Sequence, residues 1–158
     1  MSGRTVMDEL TIRMAGPDDL PALLELYRQL HPDDEPLSPA VGAHLLDQLS
    51  LYPGSSISVG MRGDVLAATC TLIVIPNITR GGAPYALIEN VVTDARYRKQ
   101  GYGKLILAAA MSDAWRHGCY KVMLLTGSKE PATLRFYEEA GFEQSKTGFQ
   151  ARRVSARA

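Results

Sequence analysis

Two glycines that follow an arginine, at the junction of a predicted strand and a predicted helix, are well placed to bind an anion. The segment Leu87 to Lys104 reads LIENVVTDARYRKQGYGK and contains the pattern R-x-x-G-x-G. Glycine lets a backbone approach a ligand closely, and the first amides of a helix lack partners inside it and carry partial positive charge. The segment therefore predicts a binding loop for a pyrophosphate, made of the backbone amides of residues 98–104. We call these residues the cradle.

The two common nucleotide-binding loops do not match the cradle. A dinucleotide-binding fold needs G-x-G-x-x-G, and no third glycine follows Gly103 at the required spacing. A P-loop needs G-x-x-x-x-G-K followed by serine or threonine, but Leu105 follows Lys104, and no glycine stands five positions before Gly103. These mismatches disfavour the alternative of a nucleotide-binding α/β protein without acyl chemistry.

Composition and charge favour an ordinary globular protein that forms a single domain over residues 1–158. Hydrophobic residues make up 46% of the chain and charged residues 22%, as is typical of this class. The 17 basic side chains balance the 17 acidic ones, whereas a protein that coats duplex nucleic acid needs a basic excess. We therefore expect no nucleic-acid partner.

No segment is predicted to enter a membrane or to bind a metal. No apolar run reaches the roughly 18 residues that span a bilayer, and Met1 to Leu10 is too polar for a signal peptide. The three histidines have no metal-ligand spacing, and Cys70 and Cys119 form no C-x-x-C pair. We therefore expect a reduced, cytoplasmic protein with no metal cofactor and no membrane partner.

Apolar periodicity and turn residues predict the elements that position the cradle. Six or seven strands are predicted, over residues 10–14, 57–61, 65–75, 85–92, 120–126, 142–144 and 148–154. Four helices are predicted, over about residues 16–31, 39–51, 101–117 and 131–140. This order indicates an α/β fold with one mixed sheet and helices on both of its faces.

A second motif lies after the cradle and is separated from it by a predicted helix and a predicted strand. It begins at Gly118 and ends at Phe142 in the phrase FYEEAGF. In this order the two motifs resemble the GCN5-related N-acetyltransferases, the GNAT family. Its members carry the acyl-CoA signature Q/R-x-x-G-x-G/A and a short helix that ends in a phrase like FYEKxGF. The resemblance covers about Thr11 to Arg152, with its specific motifs between Tyr85 and Phe142.

The resemblance implies the fold and the reaction of this family. The fold is a mixed, mostly antiparallel, twisted sheet of six to seven strands with about four helices on its two faces. The reaction is the acetyl-CoA-dependent transfer of an acetyl group to a primary amine of a small molecule, directly, in a ternary complex. Two alternatives remain open, namely a non-catalytic acyl-CoA sensor or interaction module and an acetyltransferase that acts on a protein amine.

A binding site for acetyl-CoA, the implied co-substrate, follows from the same resemblance. Backbone groups of Val91, Val92 and Thr93 would pair with the pantetheine arm like an added strand. The cradle would bind the pyrophosphate through the amides of Arg98, Lys99, Gln100, Gly101, Tyr102, Gly103 and Lys104. Many members have an asparagine where this chain has Glu130, so that contact to the cofactor is not expected. The alternative for the cradle is a solvated basic turn capped by glycine.

Tyr137 is the candidate for the acid that protonates the leaving thiolate. The family places a tyrosine at this position, near the sulfur of the cofactor. A phenol with its ordinary pKa near 10 is protonated at neutral pH, so it can donate a proton or a hydrogen bond. The alternative is an aromatic side chain that only packs, although the core face of this helix is already supplied by Ala132, Phe136 and Ala140.

Glu89 is the candidate for the general base. It interrupts the apolar stretch LIENVV, where burial would raise the pKa of its carboxyl group and suit it to accept a proton directly or through water. Small-amine acetyltransferases of the resembled family carry an acid at this strand position. The alternative is a structural ion pair between Glu89 and an arginine on a neighbouring strand.

The parts expected to select the acceptor carry no readable motif. They are the first two helices with their acidic connection at residues 33–35, the loop at residues 76–84 and the C-terminal strands. A small amine is favoured over a protein tail because the chain has no accessory domain and the segment around Glu89 resembles small-amine enzymes. A homodimer that pairs the C-terminal strands across subunits stays open at this point.

Overall fold

The computed structural model describes residues 9–154, and within that range five strands form one sheet in the order β1-β2-β3-β4-β5. The strands are β1 (Thr11–Met14), β2 (Ser56–Arg62), β3 (Val65–Ile75), β4 (Tyr85–Thr93) and β5 (Val122–Met123). Neighbours among β1 to β4 are antiparallel, and β5 is parallel to β4. The four α-helices of the same range are α1 (Leu20–Leu30), α2 (Pro39–Ser50), α3 (Tyr102–Arg116) and α4 (Pro131–Glu139). The predicted mixed α/β fold is confirmed.

The sheet separates two apolar cores because successive side chains of a strand point to opposite faces. On one face, Cys70 and Leu72 of β3 pack against α3, whose Ile106 and Leu107 are completely buried. On the other face, α1 packs on the sheet through a second cluster, formed by Leu23, Leu26, Val59, Leu66 and Val92. Helix α1 and helix α3 therefore lie on opposite faces, and β4 runs between them.

Strand β4 contains an extra residue beside the predicted base. Thr71 of β3 lies opposite Glu89, but Thr69 lies opposite Val92, so two residues of β4 face the one residue between the threonines. One of these two, Asn90, has φ +52°. Such a bulge bends a strand and increases its twist. The bulge therefore changes the direction of β4 between Glu89 and its last two residues, Val92 and Thr93, which still pair with β3.

Strands β4 and β5 diverge soon after they meet. Their parallel pairing consists of Ala86 opposite Val122 and Leu87 opposite Met123. Beyond Leu87 no described strand pairs with this edge of β4. The edge is therefore open from residue 88 to residue 93.

The predicted strands near the C-terminus are wrong. The strand predicted over residues 120–126 is reduced to β5, and the strands predicted over 142–144 and 148–154 do not form, so the sheet has five strands and not six or seven. Divergence from β4 leaves the backbone after Met123 without a partner strand. The apolar side chains of Leu125 and Phe149 are 65% and 93% exposed, so these two positions contribute little packing to a sheet. The last part of the predicted tail, residues 155–158, lies outside the described residues.

Helix α2 begins as predicted but buries little. The hydroxyl of Ser38 accepts a hydrogen bond from the amide of Val41 at 3.3 Å, which is an N-cap. Of the residues of α2, only Gly42 is buried, and the predicted apolar positions Val41 and Leu45 are about half exposed. The α2 surface therefore adds little to the core.

Candidate active site

The cradle is an open loop shaped by two residues with left-handed backbone conformations. Gly101, the N-cap of α3, has φ +83°, and Lys99 has φ +61°. A Cβ atom on Gly101 would have no atom within 4 Å, so the backbone conformation and not space explains glycine at this position. Left-handed residues in a loop turn successive amides toward one concave side, where an anion can bind.

The amides of the cradle are free to bind a ligand. In the described part of the chain, none of the seven amides from residue 98 to residue 104 donates to a protein oxygen. The first amide of the α3 ladder is that of Leu105, which donates to the carbonyl of Gly101 at 3.1 Å. Unpaired amides at a helix N-terminus carry partial positive charge. Such an arrangement can bind an anion, and the pyrophosphate assigned to it from the sequence stays a prediction.

The basic side chains of the cradle are less available than its amides. The guanidinium of Arg98 is exposed and donates through Nε to the carbonyl of Thr93 at 3.3 Å. The ammonium of Lys104 forms an ion pair with Glu139 of α4, which lowers the pKa of that carboxyl group. Lys99 is exposed on the loop. Lys104 thus joins α3 to α4. The exposed cations of the cradle that precede its glycines in the sequence are Arg98 and Lys99.

Two other cradle residues, Tyr102 and Gly103, contribute to packing in the protein interior. The side chain of Tyr102 is buried in the core, so only its amide can contact a ligand. A Cβ atom on Gly103 would lie 2.9 Å from Cζ of Phe136. Glycine at 103 therefore lets α4 pack closely on α3, which is a different reason from the approach of a ligand that the sequence suggested.

Tyr137 lies on α4 beside this contact. Its ring is half-buried and meets Phe136 and Phe142 edge to face, with ring centroids 5.0 Å and 6.4 Å apart. Burial raises the pKa of the Tyr137 hydroxyl above its ordinary value near 10, and the negative charge of Glu89 raises it further. The phenol therefore stays protonated at neutral pH, as the predicted acid must. The same ring also packs against the core, so it meets the packing alternative as well.

Glu89 is exposed, so the predicted burial of this carboxylate is wrong. Ile88 is buried on the α3 face, so strand alternation puts Glu89 on the α1 face, next to Thr71 of β3. None of the ion pairs in the described part of the chain includes Glu89. The alternative of a structural ion pair with arginine therefore finds no support, and the carboxylate is open to solvent and to a substrate.

The candidate acid and base lie on opposite faces of the sheet. Tyr137 packs against the core on the α3 face, Glu89 lies on the α1 face, and the negative charge of Glu89 contributes to the raised pKa of Tyr137. The open edge of β4 leads through Val91, Val92 and Thr93 to the cradle. An extended ligand with an anionic end could therefore lie along β4 with its other end between an acid and a base.

Asp94 is a further residue of the site that the sequence analysis did not single out. It follows β4 directly, is buried, and forms an ion pair with Arg96 at 3.0 Å. Hydrogen bonds from Arg96 lower the pKa of the Asp94 carboxyl group to about 2. An aspartate side chain at the start of a turn commonly accepts a hydrogen bond from the backbone amide two residues later. The bond from the amide of Arg96 to Asp94 could therefore have been predicted from the sequence.

A described cavity lies elsewhere and contains none of these candidates. Its volume is about 420 Å³, and it is lined by Tyr52, Pro53, Val74, Pro76, Asn77, Gly82, Pro84 and His117. His117 caps the C-terminus of α3, whereas the cradle lies at the N-terminus of this helix. Across residues 9–154 there is also no group of three potential metal ligands and no helix long and apolar enough to cross a membrane.

Comparison with known proteins identifies relatives with the same arrangement of elements. The family model described as acetyltransferase (GNAT) family matches residues 20–142. A solved structure of a protein from Agrobacterium tumefaciens str. C58 is 46% identical, with a TM-score of 0.86, and the match covers 90% of this chain and 99% of that one. A solved acetyltransferase of Trypanosoma brucei is 29% identical, with a TM-score of 0.81, over 91% of this chain and 99% of that one.

A curated relative carries a more specific name. The glucosamine 6-phosphate N-acetyltransferase of Trypanosoma brucei brucei is 32% identical to this chain over 136 residues. The match covers 85% of this chain and 89% of the relative. The similarity therefore extends over nearly the full length of both proteins and is not confined to the cradle.

Proposed function

The chain belongs to the acetyltransferase (GNAT) family and is an N-acetyltransferase, and we propose that it transfers the acetyl group of acetyl-CoA to the primary amine of a small molecule. One observation carries this proposal. The unpaired edge of β4 leads through a short turn at residues 94–97 into the cradle, whose seven amides have no protein acceptor among residues 9–154. The edge and the cradle together suit a long co-substrate with a pyrophosphate at one end and a reactive group at the other.

The chain's own groups divide the binding of acetyl-CoA into two parts. Amides of the cradle bind the pyrophosphate, with Arg98 and Lys99 as the nearest charges along the chain. Backbone groups of Val91, Val92 and Thr93 pair with the pantetheine arm along the open edge of β4. When bound, acetyl-CoA supplies an activated acetyl group as a thioester.

Glu89 and Tyr137 then serve the two proton transfers of the reaction. Glu89, on the α1 face, takes a proton from the acceptor ammonium, directly or through water, so that the nitrogen lone pair is free to attack the thioester carbonyl. The new bond joins that nitrogen to the acetyl carbon, and the bond that breaks is the one from this carbon to sulfur. Tyr137, on the other face, donates a proton or a hydrogen bond to the leaving thiolate. The nitrogen gives up its second proton to solvent as the amide forms, and solvent restores any proton that Tyr137 has given.

The acceptor in this proposal is a small primary amine, and an amino sugar phosphate is the first to test. The name of the 32% identical relative supports this choice over a protein amine and over a sensor without turnover. The acidic connection at residues 33–35, between α1 and α2, is exposed and adds negative charge on the side expected to receive the amine. This charge would attract the ammonium group of such a sugar.

Two further expectations belong to this proposal. A homodimer is favoured by the exposed apolar side chains of Leu125, Phe149 and Val154, which a second subunit could cover. A cytoplasmic location is supported by the free, buried thiols of Cys70 and Cys119, which suit a reducing compartment. Light scattering on the purified protein tests the dimer, because a monomer at all concentrations would contradict it.

The test of function has two stages. Calorimetric titration of the purified protein with acetyl-CoA, with ATP and NAD as controls, should show binding of acetyl-CoA alone. Release of free thiol is then followed over a panel of amines that includes glucosamine 6-phosphate, other amino sugars, polyamines and a lysine-containing peptide. Absence of acetyl-CoA binding by a folded sample would overturn the proposal. Release with the peptide alone would refute the small-molecule acceptor and keep the acetyl transfer.

A further inference from the structure

A buried carboxylate fixes the loop that leads from β4 into the cradle. Asp94 is only 5% exposed, and both of its carboxylate oxygens are fully engaged. Oδ1 accepts hydrogen bonds from the amide of Arg96 at 2.9 Å and from Nε of Arg96 at 3.0 Å. Oδ2 accepts from Nη2 of Arg96 at 3.0 Å and from Nε2 of Gln29 at 3.2 Å. The last of these donors comes from α1, which precedes Asp94 by more than sixty residues.

Gln29 contacts the same loop through both halves of its amide. While Nε2 donates to Asp94, Oε1 accepts a hydrogen bond from the amide of Ala95 at 2.9 Å. The orientation of the Gln29 amide is fixed by this pair of partners, since the opposite orientation would set its oxygen against a carboxylate. The last turn of α1 is therefore joined to two consecutive residues of the loop.

The backbone of Asp94 is tied on two more sides. Its amide donates to the carbonyl of Ala67 in β3 at 2.8 Å, and its carbonyl accepts from the amide of Tyr97 at 2.8 Å. The amides of Ala95 and Arg96, just before the cradle, thus donate hydrogen bonds to side-chain oxygens. The amides of the cradle itself have no protein acceptor among the described residues. The loop is hydrogen-bonded on several sides where it leaves the sheet, and its amides are unpaired where a ligand would bind.

We propose that Gln29 and Asp94 are positioning residues for acetyl-CoA, which set the start of the cradle relative to α1 so that its amides converge on the pyrophosphate. This inference rests on the proposed function, because it names residues that support its co-substrate site. Neither side chain contacts the ligand in this view. They act through the backbone of residues 95–97, so their loss weakens binding of the co-substrate and leaves the chemical step intact.

The sharpest variant is Gln29→Glu, which keeps the size of the side chain but sets a second carboxylate against Asp94. The substitution removes the hydrogen bond that Nε2 of Gln29 donates to Asp94 and adds repulsion between two carboxylates. We expect the dissociation constant of acetyl-CoA, measured by calorimetry, to rise about tenfold, which corresponds to ~1.4 kcal/mol. The KM for acetyl-CoA should rise in parallel, with kcat at saturation and the KM of the amine unchanged. Gln48→Glu, on the exposed surface of α2, is the matched control and should bind acetyl-CoA like the unmodified protein.

Two more variants keep the test decisive. Gln29→Met removes both hydrogen bonds without adding charge and replaces Gln29→Glu if that variant does not fold; about threefold weaker binding is expected from it. Asp94→Asn keeps an oxygen for the amide of Arg96 and should bind acetyl-CoA more tightly than Asp94→Ala, which keeps none. Unchanged affinity in a folded Gln29 variant would overturn the inference, as would an equal loss in kcat and in affinity. Failure of the unmodified protein to bind acetyl-CoA would instead overturn the proposed function together with this inference.

Discussion

Gly103 of α3 and Phe136 of α4 meet so closely that a Cβ atom on the glycine would lie 2.9 Å from Cζ of the ring and 3.1 Å from Cε2. The contact joins the cradle to the helix that carries the proposed acid, because Phe136 directly precedes Tyr137. Nearby, the ion pair between Lys104 and Glu139 connects the same two helices. The anion-binding loop and the acid are therefore held in one packed unit.

Gly103→Ala should disturb this unit by overpacking. The added methyl group must displace the ring of Phe136 or the backbone of α3, at a cost of about 1–3 kcal/mol in the free energy of unfolding. Turnover should fall as well, because a shift of Phe136 moves Tyr137. Urea unfolding and kcat measure the two effects. The double variant Gly103→Ala with Phe136→Leu should lose less stability than the sum of the single variants, and strict additivity would refute the contact as the cause.

Gly101→Ala should act through the backbone alone. Its φ of +83° costs a residue with a Cβ atom about 1–2 kcal/mol, and no neighbouring atom opposes the methyl group. The variant should lose that much stability and should also bind acetyl-CoA more weakly in calorimetry, because relief of the strain rotates the cradle amides. Gly63→Ala in the turn between β2 and β3 is the matched control, with φ +58° and open space. An equal effect of both variants on acetyl-CoA affinity would contradict a special role for Gly101.

Asp94 should make stability depend on pH in acid. Its folded-state pKa, about 2, lies below its ordinary value of 3.8, so its contribution is present above about pH 4 and is lost as the pH falls toward 2. The shift corresponds to about 1–2 kcal/mol, after allowance for solvent around the exposed Arg96. Asp94→Asn should therefore be less stable than the unmodified protein at pH 7, and the difference should shrink near pH 2. Urea unfolding at several pH values measures this, with Asp64→Asn in an exposed turn as the control. A difference that stays constant from pH 7 to pH 2 would rule out the ion pair as its source.

The cradle and its flanking elements could be predicted because their signals are local. Strand β3 begins and ends at the predicted residues, Val65 and Ile75, since an unbroken apolar run between two turns specifies it. Glycine at 101 marked the start of α3 because few other residues tolerate its left-handed conformation. The exposure of Glu89 could not be predicted in this way. The bulge at Asn90 depends on how β4 pairs with β3, and pairing is not encoded in one segment.

Long-range contacts explain the other differences. Residues 120–126 have the composition of a buried strand, but their pairing with β4 consists of Val122 and Met123 only, so β5 ends at Met123. Phe149 belongs to the strand predicted over residues 148–154, which needs a partner strand. No strand pairs with it among the described residues. The pairing of Gln29 with Asp94 joins residues far apart in the sequence, and a glutamine on an exposed helical position gives no sign of such a partner.

Tyr137→Phe should separate catalysis from binding. The hydroxyl is proposed to act only on the leaving thiolate, and the half-buried ring keeps its contacts with Phe136 and Phe142 when the oxygen is removed. We expect kcat to fall by about 10²- to 10⁴-fold, the range of a general acid, while the calorimetric affinity for acetyl-CoA stays within about twofold. Tyr52→Phe, at an exposed position far along the chain from the cradle, is the control and should retain full activity.

The pH profile tests the same role independently. Because burial and Glu89 both raise the pKa of Tyr137, its protonated form persists beyond pH 10. In the unmodified enzyme, any loss of kcat from phenol ionisation should therefore occur at higher pH than for an ordinary tyrosine. Glu89→Gln removes the smaller of the two causes, so the alkaline limb of any residual activity should move to lower pH. An alkaline limb that Glu89→Gln leaves in place, or full turnover by Tyr137→Phe, would show that another group protonates the thiolate.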